Sequence, residues 1–360
     1  MPEDTTDELQ ETVNDTIPVA EIENTDTIPP LLKAVKSGRT EDVLVLIDAK
    51  VNIEAKDSEG TPALSEAAYS GHTEMVNILI NANANLETAD NNHDTALILA
   101  AHQGHVDCVR ALINAKADVE AKDDCGYNPI IAATIKGHSS CVELLVNAKA
   151  DIEAKDNDGY TALIFAAHDG HTECLQVLID AKAEIDSVSR DGYTPLIVAA
   201  IRGHAACAEL LVAAKANLDA KDDGGNTALM VASHNGHTDY AQVLIGAGAD
   251  IHSHENYGYT ALIVAAYNGH TDYVRLLIDA KVDIETKNDD GYTALMLAAH
   301  DGRSECVLLL LDAKADIEVV NEAGETAFMT AAAGGHCDIL RTLIYEAGMR
   351  YGRECRRSPC

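Results

Sequence analysis

Gly159-Tyr160-Thr161-Ala162-Leu163-Ile164-Phe165-Ala166-Ala167-His168-Asp169-Gly170-His171-Thr172-Glu173-Cys174-Leu175-Gln176-Val177-Leu178-Ile179-Asp180-Ala181-Lys182-Ala183-Glu184-Ile185 decides the fold, because close copies of it return every 33 residues without an insertion. Leu163 is matched by Leu64, Leu97, Ile130, Leu196, Leu229, Leu262 and Leu295, with Leu31 opening the series and Phe328 closing it. A period of about 20 to 50 residues marks stacked supersecondary units, each too small to bury its own apolar face. The chain is therefore expected to be an all-α solenoid with one continuous core.

Within a copy, Thr161 is placed to cap a first helix, and Ala162, Leu163, Ala166 and Ala167 share one apolar face at helical spacing. Gly170-His171 breaks that helix. Glu173 to Ile179 forms a second, with Cys174, Leu175 and Leu178 as its inward stripe. The following stretch runs out extended and turns at the Asp/Gly-rich tip, as at Asp156 to Gly159. Each unit thus reads as stacked helix-turn-helix with a projecting β-hairpin loop.

Composition narrows the function classes. The 360 residues include 59 acids and 26 bases, a formal net charge of −33. Such a surface disfavours nucleic acid and anionic lipid and steers basic partners inward. No signal peptide is visible and no run approaches about 18 apolar residues. A soluble chain of the cytoplasm, with the nucleus also open to it, is expected. Cys108, Cys141, Cys174, Cys207 and Cys306 share one repeat position, held elsewhere by Met75, Tyr240, Tyr273 and Ile339. Neighbouring copies stand about 8–10 Å apart, too far for disulfides, so these read as buried free thiols.

The phased pattern Gly-x-Thr-Ala/Pro-Leu-x-x-Ala-Ala-x-x-Gly-His, followed by Leu-Ile/Leu-x-x-x-Ala-Asp-Ile, resembles the ankyrin-repeat family over residues 27–349. Units start near 27, 60, 93, 126, 159, 192, 225, 258, 291 and 324, between an acidic disordered leader (1–26) and a basic flexible tail (350–360). The resemblance implies a concave face of hairpins and first helices that grips other proteins. It also implies that the Gly-His imidazole ties the inter-helix turn to neighbouring backbone.

Three departures stand out. The family's Thr-Pro-Leu-His is Thr-Ala-Leu-Ile or Thr-Ala-Leu-Met in most copies, with proline kept only at Pro129 and Pro195 and shifted one place at Pro62. Its glycine after the second helix is lysine at Lys50, Lys116, Lys149, Lys182, Lys215, Lys281 and Lys314, leaving Gly248 in register. Its hairpin asparagine, a known hydroxylation site, is replaced by Glu54, Glu87, Glu120, Glu153, Asp186, Asp219, His252, Glu285 and Glu318, so that modification does not carry over.

Chemistry finds little support. His102/His105, His168/His171 and His234/His237 pair imidazoles at helical spacing, but no carboxylate or thiolate completes a metal shell. Asp156-Asn157-Asp158-Gly159 places its glycine too early for a calcium loop. No phosphate loop or nucleophile elbow is present. The expectation is no enzyme, no cofactor and no metal.

What remains is a surface. The residue between the hairpin glycine and the capping threonine is Tyr127, Tyr160, Tyr193, Tyr259 and Tyr292, interrupted by Asn226. Beside it runs Tyr69, His102, Ile135, His168, Ile201, His234, Tyr267 and His300. Tyrosines are stiff amphipathic anchors at interface hot spots, though they also stack between repeats. The expected function is a monomeric, non-catalytic scaffold. It would bind a basic, partly apolar protein segment through the tyrosines, His102, His168 and His234. An architectural spacer, or a regulator occluding an enzyme, are the alternatives.

Overall fold

The computed structural model describes residues 28–357, with side chains through residue 348. The chain divides into two compact units, Met1–Asp124 and Cys125–Cys360. The first holds α1 (Pro30–Lys36), α2 (Thr40–Asp48), α3 (Ala63–Tyr69), α4 (Thr73–Asn81), α5 (Ala96–Gln103) and α6 (Val106–Asn114). The second opens with α7 (Pro129–Ile135), α8 (Ser139–Asn147), α9 (Ala162–Asp169), α10 (Thr172–Asp180), α11 (Pro195–Arg202), α12 (Ala205–Ala213) and α13 (Ala228–Asn235). It continues with α14 (Thr238–Gly246), α15 (Ala261–Asn268), α16 (Thr271–Asp279), α17 (Ala294–His300), α18 (Ser304–Asp312), α19 (Ala327–Gly334) and α20 (Cys337–Arg357). Inside each unit odd-numbered helices pack on odd and even on even, so first and second helices form two layers of an all-α repeat solenoid.

The helices start where the threonines predict. Thr95, Thr161, Thr194, Thr227, Thr260 and Thr293 accept the N–H three residues on, at 3.2–3.4 Å, and Asn128 does so to Ile131 at 3.1 Å. Their small apolar faces then close the core: Ala162, Leu163, Ala166 and Ala167 are at most 1% exposed. In the second layer Cys108, Cys141, Cys174, Cys207 and Cys306 are buried free thiols. Burial pushes the Cys174 thiol up to about 12 and Cys207 up to about 11. At the same place Tyr240 and Tyr273 are buried whole, their hydroxyls donating to Leu196 O (2.5 Å) and Leu229 O (2.6 Å).

Repeats are tied by recurring side chains. His105, His171, His237 and His270 donate from Nε2 to carbonyls of Tyr69, Ile135, Ile201 and His234, at 2.9, 3.1, 3.2 and 3.0 Å. Arg303 does the same to Tyr267 O at 2.9 Å. Gly137 shows why glycine precedes the tie: its φ is +74, and a Cβ there would lie 2.6 Å from the His171 ring. The acids in the hairpin-asparagine position also reach forward. Glu54, Glu87, Glu153, Asp186, Asp219 and Glu285 accept backbone N–H groups 31 residues on, at 2.7–2.9 Å. Lys56, Lys155, Lys221 and Lys287 donate to carbonyls 33 residues on.

The lysines in the glycine position are left-handed, from φ +56 at Lys50 to +77 at Lys314, and Asn83 follows them at +62. A side chain there costs on the order of 1 kcal/mol.

Two details differ from the sequence reading. Among the described residues the hairpins carry no strands, only isolated bridges Lys56↔Pro62, Lys155↔Thr161 and His254↔Thr260. The tip is closed by the backbone pair Asp156 N–H to Tyr160 O (3.1 Å) and by Asp156 Oδ1, which accepts from Asp158 N (2.9 Å) and Tyr160 N (2.7 Å). Helix α20 continues to Arg357, past the boundary at 349, because the alanine and left-handed Lys, Asn or Gly that end the other second helices are replaced by Glu346-Ala347. The leader at 1–26 lies outside the described residues.

Candidate functional site

Each hairpin turn fixes one residue just ahead of the residue that caps the next first helix, a threonine or asparagine throughout the second unit. In the second unit Tyr127, Tyr160, Tyr193, Tyr259 and Tyr292 are all half-buried. Their placement is set by the turn, not by the ring. Asp156, Ser189, Glu255 and Asn288 accept the backbone N–H of Tyr160, Tyr193, Tyr259 and Tyr292 at 2.7, 3.2, 3.1 and 2.8 Å. Asn226 fills the gap with its amide on Asp222 at 3.2 Å.

Part of the column is engaged inside the chain. Phe165 of α9 meets Tyr127 edge-on at 5.6 Å between ring centres and Tyr160 at 5.4 Å and 40°. Tyr292 donates to Glu325 Oε2 at 3.5 Å. Burial first, then Tyr193 and the carboxylates of Asp191, Asp156 and Asp158, push the Tyr160 phenol up. The Tyr160 ring thus sits in a negative field.

The neighbouring column is mixed. His168 and His300 hold Asp169 and Asp301 through Nδ1 at 2.7 Å, His234 is exposed, and Tyr267 is 42% exposed. His102 belongs to the first unit. It lies next to Gln103 (3.1 Å). The first unit places Thr61 and Asp94 where the second has tyrosine.

Sequence reasoning overlooked three groups. Phe165 occurs once in its column, among Leu99, Ala132, Val198 and Val231, so repetition hides it. Tyr257, at a tip where other copies carry small or polar residues such as Asp158, Asp191, Gly224 and Asp290, is 72% exposed, and Val188, where the neighbouring copies have Lys155 and Lys221, is 46% exposed two hairpins earlier. An odd residue out at a tip position is the signal that finds both. Among the described residues no group of three His, Cys, Asp or Glu is set to hold a metal, and no helix is long and apolar enough to cross a membrane.

Capped helix pairs tied copy to copy by side chains on neighbouring backbone define a protein of stacked helical repeats. The chain belongs to the ankyrin-repeat family. The family profile described as ankyrin repeats (3 copies) matches residues 31–123, 115–189, 181–255, 215–288, 235–321 and 280–355. Among solved structures it is similar to the ankyrin repeat domain of Bcl-3, titled a unique member of the IkappaB protein family. Identity is 26%, the TM-score 0.55, and the match covers 61% of this chain and 100% of that one. No curated protein matches the chain. Ankyrin repeats mediate protein–protein interaction and are typically non-catalytic.

Proposed function

We propose that this chain is a non-catalytic adaptor that holds a protein segment on the hairpin and first-helix face of its second unit. The segment is basic and partly apolar. Tyr127, Tyr160, Tyr193, Tyr259 and Tyr292 supply the flat contacts, with His168 and His234 beside them. The observation that carries the reading is the half-buried tyrosine column set among carboxylates, as Tyr160 is among Asp156, Asp158 and Asp191. Aromatic anchors ringed by one sign of charge select an opposite charge on an apolar support. His102 contributes from the first unit only if the segment extends there. Free buried thiols suit a reducing compartment, the cytoplasm or nucleus.

Phage-displayed peptides selected on the full-length protein test this. Enriched peptides should combine Lys or Arg with aliphatic or aromatic residues and release as salt rises. Selection of acidic or purely polar peptides overturns the reading.

A further inference from the structure

Internal repeats of the second unit are covered on the side of the next copy, and the last is not. Leu295 and Met296 of α17 are 2% and 1% exposed, while their counterparts in α19, Phe328 and Met329, are 42% and 52% exposed. Leu311 of α18 is 4% exposed and its counterpart Ile344 in α20 is 59% exposed. Phe328 and Ile344 help line a cavity of about 180 Å³ that also carries Glu318. The glycine seat is open as well. A Cβ on Gly269 would meet Arg303 at 2.8 Å and one on Gly302 would meet His336 at 2.5 Å, but nothing lies within 4 Å of that position at Gly335.

Packing of α19 on α17 and of α20 on α18 shows what covers such a face: another helix pair in the same register. The first repeat of the chain is a helix pair with matching groups. Val45 is 56% exposed where Ile78, Ala111 and Leu144 are half-buried. Lys33 stands where Phe165 stands, and Phe165 packs on Tyr127 of the preceding copy. The residue in the place of Tyr127 in the last repeat is Glu325. Arg39 stands where Arg303 stands, and Arg303 donates to Tyr267 O of the preceding copy. Here Arg39 turns to exposed Asp42 at 3.0 Å, and the last repeat puts exposed Ala333 in the place of Tyr267.

We propose that the α1/α2 face of one chain seats on the α19/α20 face of a second copy, head to tail. Lys33 meets Glu325, Arg39 enters the seat over Gly335 toward the Ala333 carbonyl, and Val45 and Ile344 are buried in the contact. This replaces the monomer expected from sequence. The contact is heterologous, so each chain keeps a free head or tail for another and assembly runs on past two chains, into a filament or a ring.

Sedimentation velocity of the full chain, at about 0.15 M salt where general charge repulsion is screened, tests it. The weight-average coefficient should keep rising with concentration past the dimer. A head-blocked variant (Lys33→Glu with Val45→Lys) and a tail-blocked variant (Glu325→Lys with Ile344→Lys) should each stay single. Mixed, they should form a two-chain species and nothing larger, since one keeps a free tail and the other a free head. A wild type that stays single at every concentration overturns the proposal. So does a head-blocked variant that pairs alone, which would mean tail-to-tail contact. Joining Lys33→Glu and Glu325→Lys in one chain should restore association about tenfold over either single change. No recovery rejects the register. Unchanged helical circular dichroism confirms that each variant is folded.

Discussion

The two units build the same turn and put different chemistry on it. In the first, Asp57 and Asp90 accept the N–H of Thr61 and Asp94 at 3.0 and 2.9 Å. In the second, Asp156 accepts that of Tyr160 at 2.7 Å. One backbone device therefore offers a hydroxyl, a carboxylate or a phenol at the same place. The carboxylate sits badly there: desolvation first, then Asp90, Asp123 and Asp124, push Asp94 up to about 6. The turn settles position and the side chain settles what chemistry is offered there.

The largest effect expected is on binding. Tyr160→Ala with Tyr193→Ala should weaken a selected basic peptide about a hundredfold by isothermal titration, as loss of two hot-spot anchors does. Thr61→Ala in the first unit should leave the Kd unchanged, and the reverse pattern would move the site. Next comes the second layer, where the first unit has Met75 and Cys108 and the second has Tyr240 and Tyr273. Tyr240→Phe strips a buried donor from Leu196 O and should cost about 1–2 kcal/mol in urea unfolding. A cost near zero would mean the phenol only fills space.

Asp94→Asn should raise the denaturation midpoint at about pH 7 and not at about pH 4. The folded pKa lies above the ordinary 3.8, so the folded state favours the protonated acid, and stability falls as pH rises through about 6. The amide removes that loss. A pH-independent gain would trace the effect to shape, not charge. Smallest is the left-handed lysine: Lys50→Gly and Lys182→Gly should each gain up to about 1 kcal/mol. Equal gains would show the backbone to be indifferent to which unit it is in. An unchanged or lowered midpoint would reject the strain argument.

Whatever recurs in phase was legible in the sequence. The 33-residue step placed the helices, the caps and the buried thiols, and the resemblance foretold the imidazole ties. Single departures were harder to read. Phe165 gains its meaning from Tyr127, which belongs to another copy, and no period points from one to the other. The acids at Glu54 and Glu153 were recognised as replacing an asparagine, but their grip on the next copy depends on backbone N–H groups that every residue has. Helix α20 runs on to Arg357, and the 33-residue period carries no signal for where a helix ends once the repeat stops.

The imidazole ties also fix which ring nitrogen carries the proton. A carbonyl only accepts, so Nε2 holds the proton of each neutral ring and the next proton goes to Nδ1. Charging such a ring leaves the bond to the carbonyl intact and strengthens it. At His204, whose ring bonds the His168 backbone, burial lowers the pKa. The histidines act as rivets that hold in either protonation state, although their residue type is the one most often used for switches.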